Sequence, residues 1–77
     1  MDSRLGKPLS FRERQIVLGL MDGLKNREIA KRLFIAESTI KTYLSRDIAS
    51  KLGVSSRLEI ALWGFKNGLG EANEFSS

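Results

Sequence analysis

Lys41, Thr42, Ser45 and Arg46 fall within the stretch STIKTYLSRDIASKLGV, Ser38 to Val54, at offsets that place all four on one side of a helix. Each carries hydrogen-bonding groups, and the two cations match the O6 and N7 acceptors of guanine. The chemistry open to such a face is recognition of base edges or phosphates. Bond-making chemistry finds little support in the chain. It has no histidine and no cysteine, which removes the usual general base, thiolate nucleophiles, disulfides and the commonest metal ligands. It also lacks a phosphate-cradling glycine loop and an evident pair of carboxylates. No enzyme activity, cofactor or metal is expected.

The charge distribution points the same way. Between Lys25 and Arg57 stand eight bases and three acids, a surplus of five, whereas the chain as a whole is +4. A positive field localised in the middle of the chain suggests a polyanion as partner, most simply nucleic acid. The alternative is a basic helical module that docks an acidic protein partner.

Four helices are needed to position this face. Ser10 with Glu13 forms a capping box, and Phe11, Ile16, Val17 and Leu20 follow at helical spacing, so the first helix is expected from about Phe11 to Asp22, with Gly23 as its stop. In NREIAKRLF, Ile29, Ala30 and Leu33 share a face, which predicts a two-turn second helix. A turn over Phe34 to Ala36 leads into the third helix, the stretch quoted above. Ser56 with Glu59 makes a second capping box and opens a fourth helix, about Arg57 to Asn67. No segment alternates with period two, so the fold class is all-α. Seventy-seven residues allow one small domain. No apolar run approaches the length of a membrane span, and a soluble, cytoplasmic protein is expected.

Helices two and three, joined by a turn of about three residues, have the form of a helix-turn-helix. Ala30 permits close approach, Ile35 plugs the turn and Ile40 packs beneath it. The outer face of helix three then protrudes, and a helix about 10–12 Å across fits the major groove of B-DNA.

The segment from Leu9 to about Leu62 resembles the LuxR/FixJ/GerE-type helix-turn-helix domain, whose pattern runs L-T-x-R-E-x-E-V-L, G-x-x-x-K-E-I-A, I-S-x-x-T-V-K and K-L-G-V with an Arg shortly after. The resemblance implies a four-helix fold and a transcriptional regulator that reads double-stranded DNA with helix three in the major groove, as a homodimer on a two-fold site. It makes Lys41, Thr42 and Ser45 base-facing; Arg46 joins them by its place on the same face. It assigns Ser38, Thr39 and Lys51 to phosphates, with surface or capping roles as the alternative. Lys25 stands at a helix start where the family has Ser or Thr, and there a phosphate contact competes with a plain exposed lysine. Residues 1–8 are expected as a linker or flexible N-terminus, 9–69 as the domain and 70–77 as a flexible tail. A receiver or ligand-sensing domain N-terminal to such a domain would fit the family.

Helix four is apolar nearly all round and should be covered on two sides, by the core and by a twin protomer. Its strongest apolar side argues for Leu58, Leu62 and Phe65 in the core, whereas the family's small residues align with Ile60, Ala61 and Gly64. Leu62 and Trp63 are the candidates for the dimer interface.

Three departures from the family pattern matter. Ala36 replaces the Ser expected to cap helix three, Gln15 stands in place of Glu, and Tyr43 in place of His. A fourth is one of length. Ile40, Leu44, Ile48 and Leu52 recur every fourth residue, and each such step overshoots a full turn by about 40°. The family counts thirteen residues from the Thr of T-V-K to the Leu of K-L-G; here Thr39 to Leu52 is fourteen, and alignment makes Asp47 the extra one. In a straight helix Asp47 and Lys51 would enter the buried stripe, so a π-bulge or local unwinding between about Leu44 and Lys51 is predicted. The alternative is that helix three ends early and the K-L-G segment is a loop.

Overall fold

The computed structural model describes residues 4–70, all helices, turns and short connections with no strand among them. Helix α1, Phe11–Met21, begins at the expected capping box: Glu13 N–H donates to Ser10 Oγ at 3.2 Å and Ser10 N–H donates to Glu13 Oε1 at 2.7 Å. It stops at Asp22, where Gly23 takes φ of 78°. Ile16, Val17 and Leu20 are buried as expected, but Phe11 is 76% exposed. At 100° per residue Phe11 lies roughly 170° from the middle of the arc made by Glu13, Ile16, Val17 and Leu20, so it cannot share their face.

Helix α2, Asn26–Leu33, buries Ile29 and Ala30 with Leu33 half-buried, and ends at Phe34 in a left-handed conformation with φ of 58°. Gly19 is what lets it approach α1: a Cβ there would stand 2.8 Å from Ile29 Cγ1. Arg12 fastens the pair at the other end by donating to the terminal carbonyl of Leu33 at 3.1 Å, an acceptor that the helix itself leaves unsatisfied.

Helix α3 is continuous but not uniform. It runs as α-helix over Glu37–Thr42, as π-helix over Tyr43–Ile48 and again as α-helix over Ala49–Leu52, ending at Gly53 with φ of 70°. The extra residue is therefore absorbed by a wider turn. Ile40 and Ile48 are fully buried, Leu44 and Leu52 pack half-buried against the core, and Asp47 remains partly exposed. Helix three neither ends early nor carries the carboxylate into the apolar stripe.

Helix α4, Arg57–Lys66, opens on the second capping box, with Glu59 N–H donating to Ser56 Oγ at 3.1 Å and Ser56 N–H to Glu59 Oε1 at 3.2 Å. It packs chiefly on α1, and its core-facing residues are Ile60 and Gly64, with Ala61 alongside. The reading that put Leu58, Leu62 and Phe65 in the core is corrected: they are 67%, 46% and 59% exposed. Gly64 decides the face, because any side chain there would collide with Met21 and Val17 of α1. Residues 4–8, expected as linker, lie against the end of α3, where Gly6 N–H donates to Lys51 O at 3.0 Å. Residues 71–77 of the expected tail lie outside the described residues.

Candidate nucleic-acid interface

Helices α2 and α3 with the turn between them form the helix-turn-helix. Ile35 N–H donates to Ala30 O at 3.1 Å, closing α2 just before α3 starts. Ala30 and Ile40 are buried and Ile35 is half-buried, the three roles read from the sequence. With Ile40 and Ile48 held inward, Lys41, Thr42, Ser45 and Arg46 all stand exposed. Thr42 Oγ1 donates to Ser38 O at 3.1 Å, a back-bond that keeps the hydroxyl's lone pairs available as acceptors. Arg46 donates from Nε to Asp47 Oδ1 at 3.2 Å, while Asp47 also pairs with Arg4 at 3.5 Å.

Ser38 and Thr39 are exposed in the first turn of α3. The N-cap is Ala36, with φ −70° and ψ 147°; it offers no side-chain acceptor, and its carbonyl accepts from Thr39 N–H at 3.0 Å. Lys25 is exposed at the N-cap of α2, where its own N–H is satisfied by Glu28 Oε1 at 2.8 Å.

Lys51 is not brought into this group. Its ammonium donates to Glu13 Oε1 at 2.6 Å and to Pro8 O at 3.1 Å, with the two paired side chains only 18% and 6% exposed. Burial pushes the Glu13 carboxyl up, but the Lys51 hydrogen bond, the Ser10 N–H and the lysine charge outweigh it and hold the pKa below its ordinary 4.5. The pair ties α1 to the end of α3.

Two positioning contacts were not read from the sequence. Arg57, at the start of α4, donates to Asn26 Oδ1 and to Leu24 O, bracing α4 against the entry to α2. Lys41 and Ser45 share a groove with Asn26, Ser55 and Arg57. The signal for Arg57 was its place after K-L-G-V; its partners, more than thirty residues away, carried none.

Among the described residues no helix is long and apolar enough to cross a membrane. Residues 7–63 match the family model GerE, bacterial regulatory proteins of the luxR family. The chain is 34% identical over 65 residues to the uncharacterized transcriptional regulatory protein YxjL of Bacillus subtilis, covering 84% of this chain and 29% of that protein. It is 44% identical over 55 residues to the DNA-binding transcriptional activator DevR/DosR of Mycobacterium tuberculosis, covering 71% and 25%. Against the CsgBAC operon transcriptional regulatory protein of Escherichia coli the identity is 39% over 59 residues, covering 77% and 27%. The chain thus spans between a quarter and a third of the length of these relatives. Family match, helix order and the exposed face of α3 agree, and the chain belongs to the luxR family of bacterial regulatory proteins.

Proposed function

We propose that this chain is the duplex-DNA-binding domain of a transcriptional regulator, and that it reads sequence by placing α3 in the major groove. The observation that carries the reading is the division of α3 into two faces. Ile40 and Ile48 are fully buried, while Lys41, Thr42, Ser45 and Arg46 are exposed beside them. A rigid helix anchored from behind presents its outer side chains at fixed spacing, which base readout requires. In this reading Ser38, Thr39 and Lys25 contact phosphates, and the uncapped N-terminus of α3 gains an acceptor from the backbone of DNA.

The apolar stripe of Leu58, Leu62 and Phe65 on α4 supports a two-fold homodimer, with Leu62 central in the interface and half-buried Trp63 beside it. Leu62→Asp should then shift sedimentation toward monomer with melting of the monomer unchanged. Within a longer regulator, a receiver or ligand-sensing domain N-terminal to this one would control that dimer. DevR/DosR is by name a DNA-binding transcriptional activator, which fits the reading.

Selection from random duplexes, followed by footprinting, tests the proposal. A preferred site should emerge, and Lys41→Ala should relax the choice of base at one position at a cost of about 1–3 kcal/mol. Equal affinity for selected and random duplex at physiological salt would overturn specific readout and favour the acidic-partner alternative.

A further inference from the structure

Asp47 lies in the π-helical stretch of α3, Tyr43–Ile48, and its carboxylate contacts two guanidinium groups. Its Oδ1 lies 3.2 Å from Arg46 Nε and 3.5 Å from Arg4 Nη1. The Asp47 side chain is 23% exposed and that of Arg46 is 63% exposed, so the acid is held at the foot of a side chain whose head stands in solvent. Consecutive residues of a regular α-helix point about 100° apart and do not face each other. Here both lie within the π-turn Tyr43–Ile48, and their side chains meet.

The contact chooses which edge of the guanidinium is left. Arginine has five N–H donors in one plane. With Nε held by Asp47, the Nη1 and Nη2 edge remains for a partner with two acceptors side by side, as guanine presents at O6 and N7. Phosphate oxygens can also take this edge in pairs, so charge rather than geometry must disfavour them. The carboxylate also repels phosphates, so it weakens binding that lacks the matching base.

We propose that Asp47 is a positioning residue for sequence reading: it orients Arg46 toward a guanine, while Arg4 of the N-terminal segment steadies Asp47 from the other side. This rests on α3 being the reading helix, as proposed above. It extends that reading by giving Asp47, within the π-helical stretch of α3, a part in specificity.

The experiment uses the 77-residue chain and the duplex site selected with it. Arg46→Ala identifies the base pair that Arg46 reads, as the position where preference is lost. Asp47→Asn, which keeps size and shape, should then lower discrimination at that same base pair by about fivefold or more, the worth of a bidentate contact. Affinity for random duplex should stay level or rise, because a negative charge has been removed. In the Arg46→Ala background Asp47→Asn should have no effect on discrimination, and Asp47→Glu should recover part of it.

Other outcomes overturn the inference. Full discrimination retained by Asp47→Asn, or no base pair assigned by Arg46→Ala, removes the positioning role while DNA reading stands. Equal weakening on all duplexes together with a lower melting temperature makes Asp47 merely structural. A wild-type chain that prefers no duplex overturns the parent reading instead, and the two failures are thereby distinct.

Discussion

Replacing Lys51 with Met deletes the ammonium while keeping the aliphatic stem, and it separates two roles for this residue. In the structure the ammonium sits 2.6 Å from a Glu13 oxygen, in a pair whose side chains are 18% and 6% exposed. Removing one partner of a buried pair costs about 3–5 kcal/mol, because the other charge is left in a poor solvent. Glu13 keeps the Ser10 N–H at 2.7 Å, and Lys51 is not fully enclosed, so about 2–4 kcal/mol is the better figure here. A domain of 77 residues has roughly 4–12 kcal/mol in total. The melting temperature should therefore fall by on the order of 10–30 °C, read by circular dichroism at neutral pH.

The pH dependence adds a second readout. Glu13 has a folded pKa below its ordinary 4.5, so the unfolded chain binds its proton first as the solution is acidified. The pair's contribution is complete above the ordinary carboxylate range and is lost as pH falls through the folded pKa. In Lys51→Met the lysine hydrogen bond and charge are gone, the Glu13 pKa rises, and the stability lost on acidification becomes smaller. Glu13→Gln combined with Lys51→Met should recover much of the deficit, since no uncompensated charge remains buried. A Lys51→Met chain that melts within about 2 °C of wild type, yet shows a salt slope of DNA binding reduced by about one, would refute the reasoning and return Lys51 to the phosphate contacts.

Ala36→Ser should raise stability by about 0.5–1 kcal/mol in thermal or urea melts, because the backbone at φ −70° and ψ 147° already suits an N-cap and lacks only the oxygen. Gly19→Ala should destabilise by about 1–3 kcal/mol by the same measurement, despite alanine's better helix propensity, because the new Cβ would lie 2.8 Å from Ile29 Cγ1. Deletion of Asp47 should leave a folded chain that melts at or above the wild-type temperature, since Ile48 and Leu52 then reach the core by regular α-helix. A clearly lower melting temperature would show that the π-turn is needed for packing rather than being a way to absorb one residue.

Much of this protein was legible along the chain because the signals are local. Both capping boxes act over three residues, the glycine stops at Gly23 and Gly53 follow from backbone sterics, and the helix-turn-helix packing of Ala30, Ile35 and Ile40 is set by helical spacing. Even the π-turn could be read, since one residue too many between fixed apolar positions has to go somewhere. The exposed face of α3 followed from the same arithmetic. What tertiary structure decided concerns pairs far apart in sequence. The buried face of α4 depends on Gly64 meeting Met21 and Val17, not on the wheel of α4 alone. Lys51 turns to Glu13, thirty-eight residues away, and Arg57 to Leu24 and Asn26; either cation could equally have faced a phosphate. A sequence states where a charge lies on its own helix, but which partner neutralises it depends on how helices cross, and that is settled only when the core closes.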